Sequence, residues 1–159
     1  MNEAIILIGS NLHPQENIKN CLLLLMDRVI VADSSQIWKT RSFGSEGPDF
    51  LNLAVKVNTD LNEKHLKAII LRKIENKLGR VRLPDKNAPR TIDMDIVIFN
   101  KRVLDNELWE KIYIALPVSE LVPNLLEPIS KKKLMEIAIE LKSSGQAELY
   151  NPSDSFLQY

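Results

Sequence analysis

The first third of the chain alternates between apolar runs typical of strands and one-sided patterns typical of helices. Residues 4–8 form a continuous apolar run that predicts a buried strand, which Gly9-Ser10-Asn11 ends. Residues 14–28 place apolar side chains three and four positions apart, which predicts a helix with one buried face. Residues 29–40 and 50–57 are rich in β-branched and aromatic side chains and predict two further strand regions.

A second helix and a loop follow these strands. Residues 62–77 carry apolar side chains on one face at helical spacing, so they predict a helix. Gly79 lies just beyond its last turn, where a left-handed cap is expected. Residues 80–90 contain two prolines, an aspartate and an asparagine, and we interpret them as a loop.

The clearest strand of the chain is predicted for residues 91–99. Its side chains alternate strictly, and successive side chains of a strand point to opposite faces of the sheet. We therefore expect one wholly apolar face and one face that carries two carboxylates. The apolar face would hold Ile92, Met94, Ile96 and Ile98, and the other face would hold Asp93, Asp95 and Val97.

The order of these elements indicates the fold class. Strand, helix, two strands, helix and strand follow one another, which is the α+β, ferredoxin-like β-α-β-β-α-β pattern with two helices on one face of a sheet. From Pro117 onward the sequence predicts a C-terminal helical extension, and residues 151–159 predict a loosely held polar tail. A length of 159 residues fits one domain spanning 1–159.

Composition and charge narrow the classes of function. The chain has 21 Lys and Arg residues against 21 Asp and Glu residues, so no overall field favours nucleic acid or a membrane as a partner. No apolar run approaches the length of a membrane span, and the N-terminus has no basic region. The single cysteine, Cys21, has no partner for an internal disulfide. We expect a cytoplasmic protein, with a monomer favoured.

Asp93 and Asp95 are the first candidates for chemistry. Residues two apart on a strand share a face, so both carboxylates can converge on Mg²⁺, which takes one or two carboxylates together with phosphate oxygens and water. The alternative is that both simply face solvent. No glycine-rich phosphate-binding motif occurs, neither Walker A nor G-x-G-x-x-G, so a phosphate site would need another source of positive charge.

Three arginines supply that charge. Arg80, Arg82 and Arg90 bracket the loop that leads into the aspartate strand. An arginine side chain is always charged and presents a planar fork that matches phosphate oxygens. A solvated surface loop is the alternative for each arginine taken alone. Together with the carboxylate pair they favour a Mg²⁺-phosphate site beneath a loop able to close.

The segment Ala88–Val97 (APRTIDMDIV), which contains Arg90, Asp93 and Asp95, resembles the signature of the 6-hydroxymethyl-7,8-dihydropterin pyrophosphokinase family of folate biosynthesis. Other matching segments occur in the family's order and spacing over residues 4–99. The other segments are Ile8–Leu12, Thr40 with Phe43-Gly44, Asp49–Asn52, Ile74-Glu75 and Gly79–Arg82.

The resemblance implies an activity and a role for each candidate residue. The family transfers the terminal pyrophosphoryl group of ATP to the pterin hydroxymethyl group and releases AMP, so the implied partners are small molecules: ATP, a reduced pterin and two Mg²⁺ ions. By resemblance, Asp93 and Asp95 would bind the metal, and Arg80, Arg82 and Arg90 would bind phosphates. Glu75 would line the nucleotide site. Asn52 would hydrogen-bond the pterin edge, and the pterin pocket would be shaped by Thr40, Phe43 and Phe50.

The chain departs from the family pattern in two places. The family's mobile loop usually carries a tryptophan where this chain has Asn87. After the aspartate strand the family supplies a histidine and an arginine to the phosphates, but Leu104–Pro117 is shorter and contains neither. Lys111 and Tyr113 are the candidates for partial replacement. Two alternatives follow: a related protein with lost or altered transfer, and a ferredoxin-like nucleic-acid binder, which would need exposed RNA-binding aromatics that the sequence lacks.

Overall fold

In a computed structural model, which describes residues 1–41, 47–84 and 89–150, the chain is an α+β protein with one antiparallel sheet. The strands are β1 Asn2–Ser10, β2 Ile30–Ser34, β3 Trp38–Thr40, β4 Phe50–Thr59, β5 Asp93–Phe99, β6 Arg102–Val103 and β7 Ala147–Leu149. The helices are α1 Pro14–Met26, α2 Glu63–His65, α3 Arg72–Lys77, α4 Ile112–Leu121 and α5 Leu134–Ser143. A π-helical turn, Leu66–Leu71, joins α2 to α3, and a 3₁₀ turn spans Asn106–Trp109.

Strand β1 lies at the centre of the sheet. The strands run in the order β6-β5-β1-β4-β3-β7, and β2 pairs with a separate part of β4. Near the end of β1, Gly9 is paired with Asn52 of β4 on one side and with Asp93 of β5 on the other. The sheet register therefore brings the amide motif and the aspartate motif, 41 residues apart in sequence, to either side of one glycine.

Helices cover both faces of the sheet. Alternate residues of β1 point to opposite faces, as the period of a strand requires. Ala4, Ile6 and Ile8 pack in one cluster with α1 and with the continuous helix of residues 63–77. Ile5 and Leu7 pack in a second cluster with α4 and α5. Strand β1 is consequently buried on both sides, which explains why its sequence is a continuous apolar run.

The structure confirms most of the predicted elements and extends some of them. The first strand and the first helix lie where the hydrophobic pattern placed them, and β4 continues two residues beyond the predicted 50–57. The helix of residues 63–77 is capped by Asn62, whose side chain accepts from the His65 backbone N–H at 2.8 Å. None of the helices in the described part of the chain is long and apolar enough to cross a membrane.

Two details of the strand predictions are wrong. The region 29–40 is not one strand, because it divides into β2 and β3 on either side of residues 35–37. The alternation of β5 also breaks near its end, where Ile98 joins the α4 side of the sheet instead of the side of Ile96. The cause is an irregularity in the pairing of β1 with β5, which inserts one extra residue into β5 and reverses the faces that follow.

The C-terminal region is only partly helical. Helix α4 begins at Ile112 and contains Pro117, whereas the sequence predicted helix only from Pro117 onward. The buried apolar side chains of α4 stabilise it against the sheet despite the proline. Residues 147–149 form strand β7 on the edge of β3, an element that the sequence did not predict. The predicted tail, residues 151–159, lies outside the described residues.

Candidate active site

The end of helix α3 directs an arginine back over the helix. Gly79 has φ +80°, a conformation that favours glycine, and its N–H donates to the Asn76 carbonyl at 3.1 Å. The N–H of Arg80 donates to the Glu75 carbonyl at 3.1 Å. These two bonds form a Schellman cap, as the position of Gly79 predicted. The cap turns the chain so that the Arg80 side chain lies beside the carboxylate of Glu75.

Glu75 is a buried carboxylate that joins this helix to β5. Its side chain is 3% exposed, and its Oε2 accepts from the Met94 backbone N–H at 3.1 Å. Its two oxygens also accept from Arg80 at 2.5 Å and from Arg82 at 3.0 Å. Strand β6 pairs only with the last two residues of β5, so Glu75 satisfies a strand N–H that lacks a partner strand.

Asp93 is held between two arginines. Arg80 Nη1 lies 2.5 Å from Asp93 Oδ1, and Arg90 Nη1 lies 3.0 Å from Asp93 Oδ2. Burial alone would lower the pKa of Arg80, but the charges of Asp93 and Glu75 raise it above its ordinary value. Arg80 and Arg90 therefore both pair with Asp93. Arg82 is half exposed and pairs with Glu75 instead.

Asp95 has a different environment from Asp93. It shares the face of β5 with Asp93, as the alternation predicted, and Lys67 Nζ lies 3.8 Å from its Oδ1. Burial and the neighbouring Asp93 raise the pKa of Asp95 to about 6, and Lys67 only partly opposes them. A cation near both carboxylates would relieve this repulsion.

A pair of polar side chains lies across β1 from the carboxylates. Asn52 and Thr40 are both buried, and Asn52 Nδ2 donates to Thr40 Oγ1 at 2.7 Å. A Cβ atom added at Gly9 would lie 2.8 Å from Asn52 Oδ1, closer than van der Waals contact permits. Only glycine at position 9 therefore leaves room for the Asn52 amide in this position. Both Asn52 and Thr40 were predicted site residues.

A cavity of about 230 Å³ extends from Asn52 and Thr40 to the carboxylates of Asp93 and Asp95. It contains six of the predicted site residues, whereas Glu75, Arg80 and Arg82 lie behind Asp93 and do not line it. Phe43 and Asn87 lie outside the described residues. The predicted residues in the cavity wall are Thr40, Phe50, Asn52, Arg90, Asp93 and Asp95.

The cavity also has walls outside the matched motifs. Asp105 and Glu107 reach it from the segment between β6 and α4, Tyr113 from the first turn of α4, and Arg41 from the end of β3. Burial, then the charges of Glu107 and Asp105, raise the pKa of Tyr113 to about 12, so its hydroxyl stays protonated at neutral pH. Of the two residues that the sequence offered as partial replacements, Tyr113 lines this cavity and Lys111 does not.

The donor set fits a magnesium ion that is shared with a phosphorylated ligand. The described residues contain no group of three or more His, Cys, Asp or Glu side chains arranged to hold a metal by themselves. Mg²⁺ does not need such a group when phosphate oxygens and water complete its shell. Asp93 and Asp95, two residues apart on one strand face, supply the one or two carboxylates that this arrangement requires.

Comparison with known sequences identifies the group to which this site belongs. The family model described as 7,8-dihydro-6-hydroxymethylpterin-pyrophosphokinase matches residues 5–123. The 2-amino-4-hydroxy-6-hydroxymethyldihydropteridine pyrophosphokinase of Helicobacter pylori is 36% identical over 145 residues, which cover 83% of this chain and 85% of that protein. The Bacillus subtilis enzyme of the same name is 33% identical and covers 76% of this chain and 78% of that protein.

Some relatives are much longer than this chain. A folic acid synthesis protein of Dictyostelium discoideum is 29% identical over 91% of this chain, which spans 23% of that protein. A solved structure of a Plasmodium falciparum HPPK-DHPS triple mutant with pteroate has a TM-score of 0.67 at 12% identity. It covers 90% of this chain and 44% of the solved chain. At this identity the solved structure shows a shared fold, and the present chain spans less than half of its length.

Proposed function

The chain belongs to the 7,8-dihydro-6-hydroxymethylpterin-pyrophosphokinase family, and from this premise we propose that it transfers pyrophosphate from ATP to 6-hydroxymethyl-7,8-dihydropterin and releases AMP. Enzymes of this family use ATP as co-substrate and typically Mg²⁺. The observation that carries the proposal is a cavity that has Asn52 and Thr40 on one wall and, on the other, Asp95 and the arginine-bound Asp93. One wall suits a heterocycle with donors and acceptors, and the other suits phosphates.

The proposed reaction forms one phosphorus–oxygen bond and breaks another. The oxygen of the pterin hydroxymethyl group attacks the β-phosphorus of ATP, the bond from that phosphorus to the bridging oxygen of the α-phosphate breaks, and the hydroxyl proton is released. Such a transfer depends on positioning and charge neutralisation more than on a covalent nucleophile. Bound Mg²⁺ would supply charge neutralisation at the phosphates, with Asp93 and Asp95 as its protein ligands. We propose two ions, as the family resemblance implies.

We propose that the three arginines act on the phosphate side of the cavity, in different roles. Arg90 lies in the cavity wall, where its guanidinium reaches Asp93 and lies 5.9 Å from the centre of the Phe50 ring. Arg80 lies behind Asp93 and holds that carboxylate in place. We therefore assign Arg90 to direct phosphate contact and Arg80 to orientation of the metal ligand, with Arg82 and Glu75 as their support.

Asn52 is proposed to recognise the pterin. Its amide can both donate and accept at a ring edge, and a site built to make such bonds rejects rings that lack the matching groups. Asn52→Ala is expected to weaken binding of the reduced pterin at least tenfold, about 1.4 kcal/mol, with little change for ATP. Asn58→Ala, at the other end of the same strand, is the matched control. Calorimetry that finds equal pterin affinity in Asn52→Ala and wild type would remove Asn52 from the pocket.

The carboxylates of the segment after β6 are expected to oppose the nucleotide. Glu107 lies in the cavity wall, in a segment where the family pattern has cationic residues. A like charge at an exposed site is worth about 0.5–1 kcal/mol, so Glu107→Gln is expected to tighten ATP binding roughly two- to fivefold at low Mg²⁺. Glu110→Gln, an exposed residue of the same segment outside the cavity wall, should change nothing. Equal ATP affinity in wild type and Glu107→Gln would show that Glu107 does not face the phosphates.

The proposed function is tested by coupled consumption of the two substrates. ATP, Mg²⁺ and 6-hydroxymethyl-7,8-dihydropterin together are expected to yield AMP, while omission of the pterin or addition of a chelator should stop its release. The second candidate is a related protein that binds pterin or nucleotide without transfer, and the acidic segment after β6 is the observation that favours it. Binding of both ligands without AMP release would support that candidate and contradict transfer.

We propose that β1, α1, β2 with β3, β4, the helix of residues 63–77, and β5 form a ferredoxin-like core. The support is the order of the central strands, in which the last strand of that series lies beside the first and the first beside β4. We also propose one domain for 1–159, because α4 and α5 pack on the same sheet as the core helices.

A further inference from the structure

The turn after β1 joins two chain segments that enter the site from different directions. Asn11 is 2% exposed. Its Nδ2 donates to the Pro48 carbonyl at 3.2 Å, and its Oδ1 accepts from the Arg90 backbone N–H at 2.7 Å. Its own backbone N–H donates to the Arg90 carbonyl at 3.2 Å. One buried side chain therefore contacts the segment that leads into β4 and the segment that leads into β5.

Each of these segments carries a different part of the site. Pro48 lies two residues before Phe50, which begins β4. Strand β4 supplies Phe50 and Asn52 to the side of the cavity proposed to bind the pterin, called the pterin wall below. Arg90 belongs to the proposed phosphate wall through its bond to Asp93 at 3.0 Å. The two walls meet where the Arg90 guanidinium lies over the Phe50 ring. Asn11 thus links the segments that lead into the two walls, in addition to the pairing of β1 with β4 and β5.

We propose that Asn11 is a positioning residue that fixes the pterin wall and the phosphate wall at the separation required for transfer. The inference rests on the proposed function. Transfer between two bound substrates needs the reacting atoms about 3–3.5 Å apart, and a misplacement of about 1 Å can cost roughly a hundredfold in rate. Because Asn11 does not itself line the cavity and bonds to the backbone of Arg90 and of Pro48, its loss should change the geometry between the substrates more than the affinity for either one.

A purely structural role is the alternative, since buried backbone groups need partners wherever they occur. Ser35 offers a matched control for that role. It is also buried, at 4% exposed, and its hydroxyl accepts from the Ala54 N–H at 2.9 Å and donates to the Gln36 carbonyl at 2.7 Å. Asn11 and Ser35 thus each satisfy one backbone donor and one backbone acceptor. They differ in that Arg90, a partner of Asn11, lines the cavity, whereas Ala54 and Gln36, the partners of Ser35, do not.

The experiment compares Asn11→Ala and Ser35→Ala with the wild type. The measurements are kcat for AMP release, the dissociation constant of 6-hydroxymethyl-7,8-dihydropterin alone, that of a non-hydrolysable ATP analogue with Mg²⁺ alone, and the melting temperature. We expect Asn11→Ala to lower kcat ten- to a hundredfold with each dissociation constant changed less than threefold. Ser35→Ala, with a similar loss of melting temperature, should keep kcat within twofold of wild type.

Other outcomes would overturn the role of Asn11. They include unchanged kcat in Asn11→Ala, an equal kcat loss in Ser35→Ala, or substrate affinities that fall as far as kcat. Asn11→Asp keeps the oxygen that accepts from Arg90 but cannot donate to Pro48, so it should also lower kcat, and this variant serves if Asn11→Ala does not fold. Wild-type kcat in Asn11→Asp would overturn the proposal. If the wild type releases no AMP, the proposed function fails together with this role. If the wild type releases AMP and the Asn11 variants keep its kcat, only the role of Asn11 fails.

Discussion

Asp93→Asn and Asp95→Asn are each expected to lower pyrophosphoryl transfer roughly 10²–10³-fold, the range seen when one charge-stabilising group is removed from an active site. Each substitution keeps the shape of the side chain and removes the charge that would hold Mg²⁺. Steady-state release of AMP at saturating ATP and pterin measures the effect. Asp60→Asn, an exposed site just beyond β4, at the end of the sheet opposite Gly9, is the control and should keep wild-type turnover.

The two variants should differ in stability. Because the pKa of Asp95 is raised to about 6 in the folded protein, its ionised form costs folding free energy at higher pH, and this cost is absent from Asp95→Asn. At pH 8 without metal, Asp95→Asn is expected to unfold at the same temperature as wild type or higher. Asp93→Asn should unfold at a lower temperature, because Arg80 and Arg90 both lose a charged partner. Near-wild-type turnover in either variant with Mg²⁺ present would contradict the metal assignment.

Arg80→Ala is the second substitution with a large expected effect. The Arg80 side chain is 11% exposed and bonds to both Glu75 and Asp93 at 2.5 Å. Its removal leaves two carboxylates with one arginine each, and breaking a buried ion pair typically costs about 3–5 kcal/mol. We also expect turnover to fall roughly 10²–10³-fold and to fall more than ATP affinity does, because Arg80 orients the Asp93 carboxylate that would hold Mg²⁺, and the charge of the metal counts most in the transition state. Denaturant unfolding and steady-state kinetics measure the two effects.

Arg82→Ala provides the matched control for Arg80→Ala. Arg82 pairs with the same carboxylate, that of Glu75, at 3.0 Å, but its side chain is 51% exposed. Exposed ion pairs contribute about 0–1 kcal/mol, so both the loss of stability and the loss of turnover should be much smaller than in Arg80→Ala. Similar losses in the two variants would mean that burial between Glu75 and Asp93 does not give Arg80 its importance.

Local patterns predicted the parts of the fold that depend on local chemistry. The period-two alternation of β5 predicted that Asp93 and Asp95 share a face, and Gly79 predicted the left-handed cap that directs Arg80. The sequence did not predict that Ile98 changes faces, because the bulge depends on how β5 pairs with β1. Strand β7 has three residues and exists through its pairing with β3, so no pattern of its own predicts it.

In the candidate site, too, the sequence predicted the residues that lie in motifs and missed those that depend on tertiary contacts. Motif residues such as Asn52 and Arg90 lie in the cavity wall, where the family resemblance implied them. Asp105 and Glu107 were not predicted, because they lie outside the matched motifs and reach the cavity only in the folded chain. Tyr113, which the sequence offered as a candidate replacement, reaches the cavity through the packing of α4 against the sheet. Asn11 lies in the matching segment Ile8–Leu12, but its proposed role depends on two hydrogen bonds to residues distant in sequence. Contacts of this kind follow from tertiary structure alone.

The fate of the phosphorus atoms of ATP tests the central claim most directly. ATP carrying a radioactive label on the α-phosphorus in one reaction, and on the γ-phosphorus in a second, would be incubated with the protein, Mg²⁺ and 6-hydroxymethyl-7,8-dihydropterin. Transfer of pyrophosphate predicts that the α label appears in AMP and the γ label in a pterin whose mass has increased by two phosphoryl groups. An α label recovered in ADP with a pterin that has gained one phosphoryl group, or no labelled pterin at all, would contradict the account.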